Sequence, residues 1–164
     1  RTGSASLVLI LLMKRLILVS FALLLGYAAW WLFWQSPERQ IDSAQARFLA
    51  ALEGHDWDDV RAMLAPDFVT SGGHNADTVM PDLKQALGDF VTLDIESNTI
   101  TLQASKDLGM ISQTIRLVGL GAGLSIAVRE RANQIRTPWL FHWRKNGSWP
   151  WNWQLTQVHN DTFP

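Results

Sequence analysis

The sequence predicts an α+β domain preceded by one transmembrane helix. Residues 16–34 form an uncharged apolar run, apolar residues recur at helical spacing from 36 to 90, and apolar and polar residues alternate beyond 92. Helices followed by an antiparallel meander are typical of α+β folds. The 164 residues accommodate one domain of ordinary size with an appendage, and not two full domains.

Composition excludes several classes of protein. The 14 basic and 15 acidic residues leave a formal net charge of −1, which argues against a nucleic-acid partner. The absence of cysteine excludes disulfide scaffolds, thiolate zinc sites and cysteine nucleophiles. The histidines show neither metal-ligand spacing nor a Ser-His-Asp arrangement that spacing alone supports, so we expect no metal site and no cofactor. They are His55, His74, His142 and His159.

The apolar run at residues 16–34 has the length of a membrane span. Its 19 residues would extend about 28 Å as a helix, close to the hydrocarbon thickness of a bilayer. We expect Lys14 and Arg15 to stay on the cytoplasmic side and the aromatic end of the run to lie at the opposite interface. That aromatic end consists of Trp30, Trp31 and Trp34. The pattern predicts a single-pass inner (plasma) membrane protein whose C-terminal domain lies on the periplasmic side.

Two other interpretations of this run stay open. A basic start, an apolar stretch at 16–25 and small residues at 26 and 28 also suit a cleaved signal peptide. Apolar residues continue past position 28, which favours an uncleaved anchor, and a buried core helix is the third interpretation. The sequence from Met13 onward has the pattern of a natural protein N-terminus. We therefore predict an upstream extension at 1–12, a signal anchor at 13–35 and an exported domain at 36–164.

Three helices are predicted at the beginning of the exported domain. Ser36 and Pro37 suit the N-cap and the first helical position, and Gly54 suits the end of the first helix. A second helix follows Asp56, and a third spans residues 77–90. The apolar residues of the first helix follow helical spacing: Ile41, Ala44, Phe48, Leu49 and Leu52.

Strands are predicted from residue 68 onward. A short strand covers 68–70, and alternation then predicts two hairpins, which pair 98–105 with 110–118 and 139–145 with 149–159. Residues 119–134 are ambiguous between strand and loop. The glycines in this stretch lack the spacing of a nucleotide-binding turn and indicate a bend instead. They are Gly119, Gly121 and Gly123.

Three motifs carry a family resemblance. Asp56-Trp57 opens the second helix, Pro66-Asp67-Phe68 enters the first strand, and WRKNGSWPWNWQLTQV closes the chain with a tryptophan-rich strand. With this order of elements, residues 38–160 resemble the nuclear-transport-factor-2-like superfamily, which includes SnoaL-like domains. The resemblance implies a cone in which three helices pack on a strongly curved antiparallel sheet around a pocket. Such domains include steroid isomerases, dehydratases, polyketide cyclases and non-enzymatic binding domains, so the fold alone decides no function.

The resemblance also directs attention to the catalytic position of the family's isomerases. Those enzymes carry an aspartate on or just after the first strand, whereas residues 70–73 here are Thr-Ser-Gly-Gly. Asp67, between Pro66 and Phe68, is interpreted as structural. His74 is the nearest titratable group, and it is either a general base or an exposed loop histidine. His142 lies in the middle of a strand, and it is a second candidate base if its face of the sheet is concave.

The aromatic residues of the last two strands form the candidate ligand pocket. Alternation places them on a shared face, where they either fill the core under the helices or bind a flat apolar ligand. Trp149 and Trp151 near the hairpin tip have a third interpretation, contact with a lipid interface. The candidate pocket residues are Trp139, Phe141, Trp143, Trp151 and Trp153.

These observations favour a non-catalytic ligand-binding or protein-interaction module displayed at a membrane surface. The missing strand carboxylate, the scaffold character of the motifs and the anchor all support it. The alternative is a small cofactor-free lyase or isomerase that acts on an apolar substrate with His142 or His74 as its base. The expected partners are the membrane, a second copy of the chain, and an apolar small ligand or an envelope protein.

Overall fold

The computed structural model describes residues 3–33 and 36–162, with side chains described for residues 13–28, 30 and 36–162. The chain divides into two compact units, Arg1–Gln35 and Ser36–Pro164. The described residues of the first unit form one helix, α1 (Gly3–Phe33).

The predicted transmembrane helix is not supported. Within the described ranges, no helix has the combination of length and apolar character that crossing a bilayer requires. Of the predicted interface residues, Lys14, Arg15 and Trp30 are exposed on α1, whereas Trp34 and the side chain of Trp31 lie outside the described residues. The side chains of the predicted extension at 1–12 also lie outside them.

The second unit has the predicted α+β composition, with four helices and five strands in its described residues. The helices are α2 (Pro37–Glu53), α3 (Trp57–Met63), α4 (Ala76–Leu87) and α5 (Leu124–Gln134). The strands are β1 (Leu64–Thr70), β2 (Phe90–Ala104), β3 (Leu108–Gly121), β4 (Trp139–Lys145) and β5 (Trp153–His159). They form one sheet in the order β1-β5-β4-β3-β2.

The prediction of an antiparallel sheet was correct for three strand pairs and wrong for the fourth. The β2–β3, β3–β4 and β4–β5 pairs are antiparallel, whereas β1 pairs with β5 in parallel. A parallel pair needs a long crossover between its strands, and here everything from α4 to β4 supplies it. The sheet is therefore mixed, and its parallel pair joins an early strand to the last one.

Helix α2 covers the inner face of the sheet, which we define as the face that meets the helices. Its predicted apolar stripe is buried, with Ile41 and Ala44 completely inaccessible. Ile41 packs directly over Gly109 of β3, where an added Cβ would overlap with the Ile41 Cδ1 atom. Helix and sheet can therefore approach this closely only because residue 109 is a glycine, which has no side chain.

The ambiguous stretch at 119–134 contains a helix that sequence patterning did not reveal. Strand β3 continues to Gly121, and α5 begins three residues later. Gly123 at the helix N-cap has φ +58°, a conformation that glycine adopts at little cost. A Cβ at Gly121 would overlap with Ser125 of the helix, so the glycines allow strand and helix to pack closely.

Helix α5 completes the edge of β3 where β4 no longer pairs with it. The β3–β4 register ends at Gln113, which leaves the last residues of β3 without that neighbour. The Asn133 side chain accepts from the Leu117 N–H at 2.8 Å and donates to the Leu117 carbonyl at 2.9 Å. Arg129 donates to the Gly119 carbonyl at 2.7 Å. These side chains therefore satisfy backbone groups that another strand would otherwise pair.

Replacing Asn133 by Asp tests this edge. The carboxylate keeps an acceptor for the Leu117 N–H but loses the donor and faces the Leu117 carbonyl. We expect Asn133→Asp to lower the free energy of unfolding by about 1–3 kcal/mol in urea titrations. The matched control is Gln134→Glu, which adds the same charge to the exposed neighbouring residue. Equal losses in the two variants would contradict the edge role of Asn133.

Replacing Gly109 by Ala tests the seating of α2. The added methyl group overfills the contact with Ile41, so we expect a loss of about 1–3 kcal/mol of unfolding free energy. Ile41→Val removes the overlapping Cδ1 atom, and alone it costs about 0.5–1.5 kcal/mol. The double variant should be more stable than the sum of the two losses implies, and strict additivity would contradict the contact.

Candidate functional site

The space between α2 and the inner face is filled by aromatic side chains. Trp143 is 1% exposed, its indole N–H donates to Gln45 Oε1 at 2.9 Å, and its ring meets the Phe48 ring edge-on at 6.1 Å. The Trp153 indole donates to Gln40 Oε1 at 3.2 Å. Both tryptophans are thus held by amide oxygens of one helix, and the centre of the domain is packed rather than open.

The candidate pocket residues separate into two environments. Phe141, Trp143 and Trp153 belong to the buried core, and Trp139 is partly buried against it. Trp151 lies outside, 48% exposed, because residues between β4 and β5 form a turn instead of extending the last strand as predicted.

The polar groups buried in the domain are not acids or bases. Among the described residues, the buried polar side chains are Gln40, Gln45, Ser112, Gln113, Ser125 and Asn160, none of which titrates near neutral pH. The Nε2 atoms of Gln45 and Gln113 have no hydrogen-bond partner among the described residues. Among its described residues, the interior therefore offers amide donors and no proton-transfer group.

The two histidines proposed as bases lie away from the interior. His142 alternates with buried Phe141 and Trp143, so it faces the opposite, outer face of the sheet. Partial burial and the nearby His159 both lower the pKa of His142 below its ordinary value of 6.5. His74 lies in the loop before α4, where Nδ1 is 3.2 Å from the exposed carboxylate of Asp82. The two candidate bases therefore do not converge on one site.

Asp67 has a structural partner on the same outer face. Its carboxylate accepts two hydrogen bonds from the Arg144 guanidinium, at 2.6 and 2.9 Å. The hydrogen bond from Arg144 lowers the pKa of the Asp67 carboxyl group. This bidentate ion pair connects β1 to β4 across β5, which supports the structural interpretation of Asp67.

A groove bounded by α2, α3 and the β4–β5 loop lies beside the exposed tryptophans, and it has a volume of about 480 Å³. We call it the outer groove; it is bordered by helices and is distinct from the outer face of the sheet. Arg47 donates to the Trp151 carbonyl at 2.9 Å, which connects the loop to α2. The rings of Trp149 and Trp151 stack with centroids 5.1 Å apart, and both are about half exposed. Residues lining the groove include Arg47, Ala51, Asp56, Asp59, Met63 and Trp151.

Sequence reasoning missed a cluster formed by Ser71, His159 and Asp161. Ser71 Oγ lies 2.7 Å from His159 Nδ1, and His159 Nε2 lies 2.9 Å from Asp161 Oδ1. Ser71 and His159 are 88 residues apart, so spacing gave no signal. The parallel pairing of β1 with β5 aligns Thr70 with Val158 and brings the two side chains together.

No group of histidine and acidic side chains suited to holding a metal ion occurs within residues 3–33 and 36–162.

Comparison of structures identifies the fold. No family model and no curated protein matches the chain. Solved structures do match, and they show that the domain has the nuclear-transport-factor-2-like fold.

Three of these structures illustrate the match. A nuclear-transport-factor-2-like protein from Cytophaga hutchinsonii is 15% identical, with a TM-score of 0.55 over 77% of this chain and 98% of that one. A protein of the same fold and of unknown function from Pseudomonas putida is 16% identical, with a TM-score of 0.55 over 75% and 84%. A candidate scytalone dehydratase from Novosphingobium aromaticivorans is 11% identical, with a TM-score of 0.55 over 74% and 80%.

The lowered pKa of His142 predicts a pH dependence of stability. The unfolded chain binds a proton near pH 6.5, whereas folded His142 binds it only at lower pH. Unfolding therefore becomes easier as the pH falls below 6.5, until the pH passes the folded pKa. In urea titrations at about pH 7.5 and about pH 5.5, His142→Gln should lose less stability than the wild type on acidification. An unchanged loss would contradict this contribution of His142.

Proposed function

We propose that this domain is a ligand-binding or protein-interaction module rather than an enzyme that works inside its fold. The observation that carries the proposal is the packed interior, in which Trp143 and Trp153 occupy the space between α2 and the sheet. A catalytic pocket needs room for a substrate and a group that moves a proton. Neither is found among the described interior residues.

We place the binding surface at the outer groove. Trp149 and Trp151 present a stacked aromatic surface of the kind that binds flat rings or apolar side chains. The Arg47 guanidinium and the Asp56 and Asp59 carboxylates border the same groove, so polar groups can orient what the tryptophans hold. An aromatic small molecule or an aromatic side chain of a partner protein fits this combination.

The alternative lyase or isomerase has less support from the geometry. It requires His142 or His74 to face an apolar substrate, but one lies on the outer face of the sheet and the other beside Asp82 in a loop. The likeness to a candidate scytalone dehydratase is a likeness of fold alone.

Binding of a neutral flat aromatic probe tests the groove. We expect 2-naphthol to bind the wild-type chain, with ligand-observed NMR giving the dissociation constant. Trp151→Ala should weaken binding by about tenfold, because it removes half of the stacked surface. The control is Val91→Ala on β2, which truncates an apolar side chain that is 83% exposed and does not line the groove.

Two results would contradict the proposal. Equal binding by the wild type and Trp151→Ala would place the binding surface elsewhere. Turnover of a small substrate that His142→Ala abolishes without unfolding the chain would favour the alternative enzyme.

Native mass spectrometry of the same samples reads the oligomeric state and so tests the predicted homodimer.

A further inference from the structure

The cluster of Ser71, His159 and Asp161 has the order of groups found in nucleophilic catalysis. The Ser71 Oγ–His159 Nδ1 and His159 Nε2–Asp161 Oδ1 distances are 2.7 and 2.9 Å. Both fall within about 2.6–3.2 Å, the reach expected between a nucleophile, its base and the group that orients the base. All three side chains lie where β1 and β5 end, about 20 Å along β5 from Trp153 at the groove.

The hydrogen-bond chemistry of the cluster fixes the direction of each bond. The Asp161 carboxylate can only accept, so His159 Nε2 carries a proton and donates it. In the neutral imidazole Nδ1 is then unprotonated and accepts from the Ser71 hydroxyl. The Asn160 N–H donates to Ser71 Oγ at 3.2 Å and occupies one of its two lone pairs. The remaining lone pair is available to attack an electrophile.

A buried amide holds the cluster in place. Asn160 lies between His159 and Asp161 in the chain and is only 2% exposed. Its Nδ2 atom donates to the carbonyls of Thr137 and Pro138, at 3.1 Å each. Its Oδ1 atom accepts from Thr137 Oγ1 at 3.0 Å and from the Thr162 N–H at 2.9 Å. With this amide fully bonded, the residues on both sides of it are preorganised.

The cluster is open to solvent. The side chains of His159 and Asp161 are 38% and 77% exposed. Ser71 starts a glycine turn, and the space around the Cβ position of Gly73 is empty to 4 Å. A small substrate can therefore reach the Ser71 hydroxyl without movement of the fold.

We propose that Ser71 is a nucleophile that takes up the acyl group of a small activated ester, with His159 as its general base. Ser71 Oγ forms a bond to the ester carbonyl carbon while its proton moves to His159 Nδ1. The bond from that carbon to the leaving oxygen breaks, and the leaving oxygen takes the proton as an alcohol or phenol. Water then attacks the acyl-serine through the same base, which releases a carboxylic acid and restores the Ser71 hydroxyl.

Asp161 is a positioning residue in this reaction. It selects the His159 tautomer that accepts from Ser71, and it stabilises the imidazolium formed when the proton moves. An amide in its place can donate to Nε2, which puts the ring proton on Nδ1 and turns that atom into a donor toward Ser71. The base is then lost while the fold keeps its contacts.

Acylation by 4-nitrophenyl acetate tests the proposal on the full chain. We expect a burst of one equivalent of 4-nitrophenol, with peptide mass spectrometry locating an acetyl group on Ser71. Ser71→Ala should abolish that adduct, and Asp161→Asn should slow acetylation by about tenfold or more with an unchanged Tm. The matched control is Ser97→Ala, which removes an exposed hydroxyl from β2 and should keep the wild-type burst.

The outcomes separate catalysis from a structural role of the cluster. Acetylation found only on lysine side chains, or at Ser71 with equal rates in the wild type and Asp161→Asn, would overturn the proposal. Because the groove lies at the other end of β5, 2-naphthol binding and its loss in Trp151→Ala are read independently of this reaction. Failure of either proposal therefore leaves the other intact.

Discussion

The architecture depends on how α2 is held against β4 and β5. Two indole rings bury a large apolar area there, but each N–H needs an acceptor because an unpaired buried donor costs about 1–3 kcal/mol. Gln45 and Gln40 of α2 supply these acceptors to Trp143 and Trp153. The interaction fixes the helix against the sheet in one position and fills the space in which a nuclear-transport-factor-2-like fold can hold a ligand. Chemistry and recognition are consequently expected at the margins of the domain.

The parallel pairing of β1 with β5 determines what those margins contain. An early strand and the last strand end at the same place, so residues 70–71 meet residues 158–160. Ser71 gains a histidine as neighbour through this pairing and not through any local motif. At the opposite end of β5, the connection to β4 carries the exposed tryptophans beside α2. One strand thus links two surfaces of different chemistry.

Sequence patterning succeeded where a single periodicity dominates. The helical stripe of α2 and the alternation of β4 were predicted with nearly the observed bounds, because one face of each is buried and the other is exposed. Gly54 ends α2 as its C-cap, as predicted. The residue in the left-handed conformation is the next one, His55, with φ 56°. Its Nε2 atom bonds the Leu87 carbonyl at 2.9 Å, a long-range contact that stabilises this backbone and leaves no local signal.

The elements that patterning missed depend on tertiary partners. Helix α5 has a weak apolar stripe and a short polar face, and it is held by side-chain bonds from Asn133 and Arg129 to β3. Trp149 and Trp151 fit an alternating strand by sequence, but Arg47 and the turn at residues 146–152 direct them out of the sheet. Tertiary packing also decides where the candidate site residues of β4 lie. The faces of β4 were known to alternate, and only the packing of α2 decided that the aromatic side is inner and the His142 side outer.

The outer position of His142 has a consequence for the Ser71 cluster. Burial lowers the pKa of His142, and the nearby His159 on the same face lowers it further. A neutral His142 near neutral pH leaves His159 free of an adjacent positive charge when it accepts the proton of Ser71. The charge of the Arg144 guanidinium on the same face is compensated by its bidentate ion pair with Asp67. The outer face therefore combines a histidine pair with a compensated arginine, so neither His142 nor Arg144 adds an uncompensated positive charge to the face that carries the proposed base.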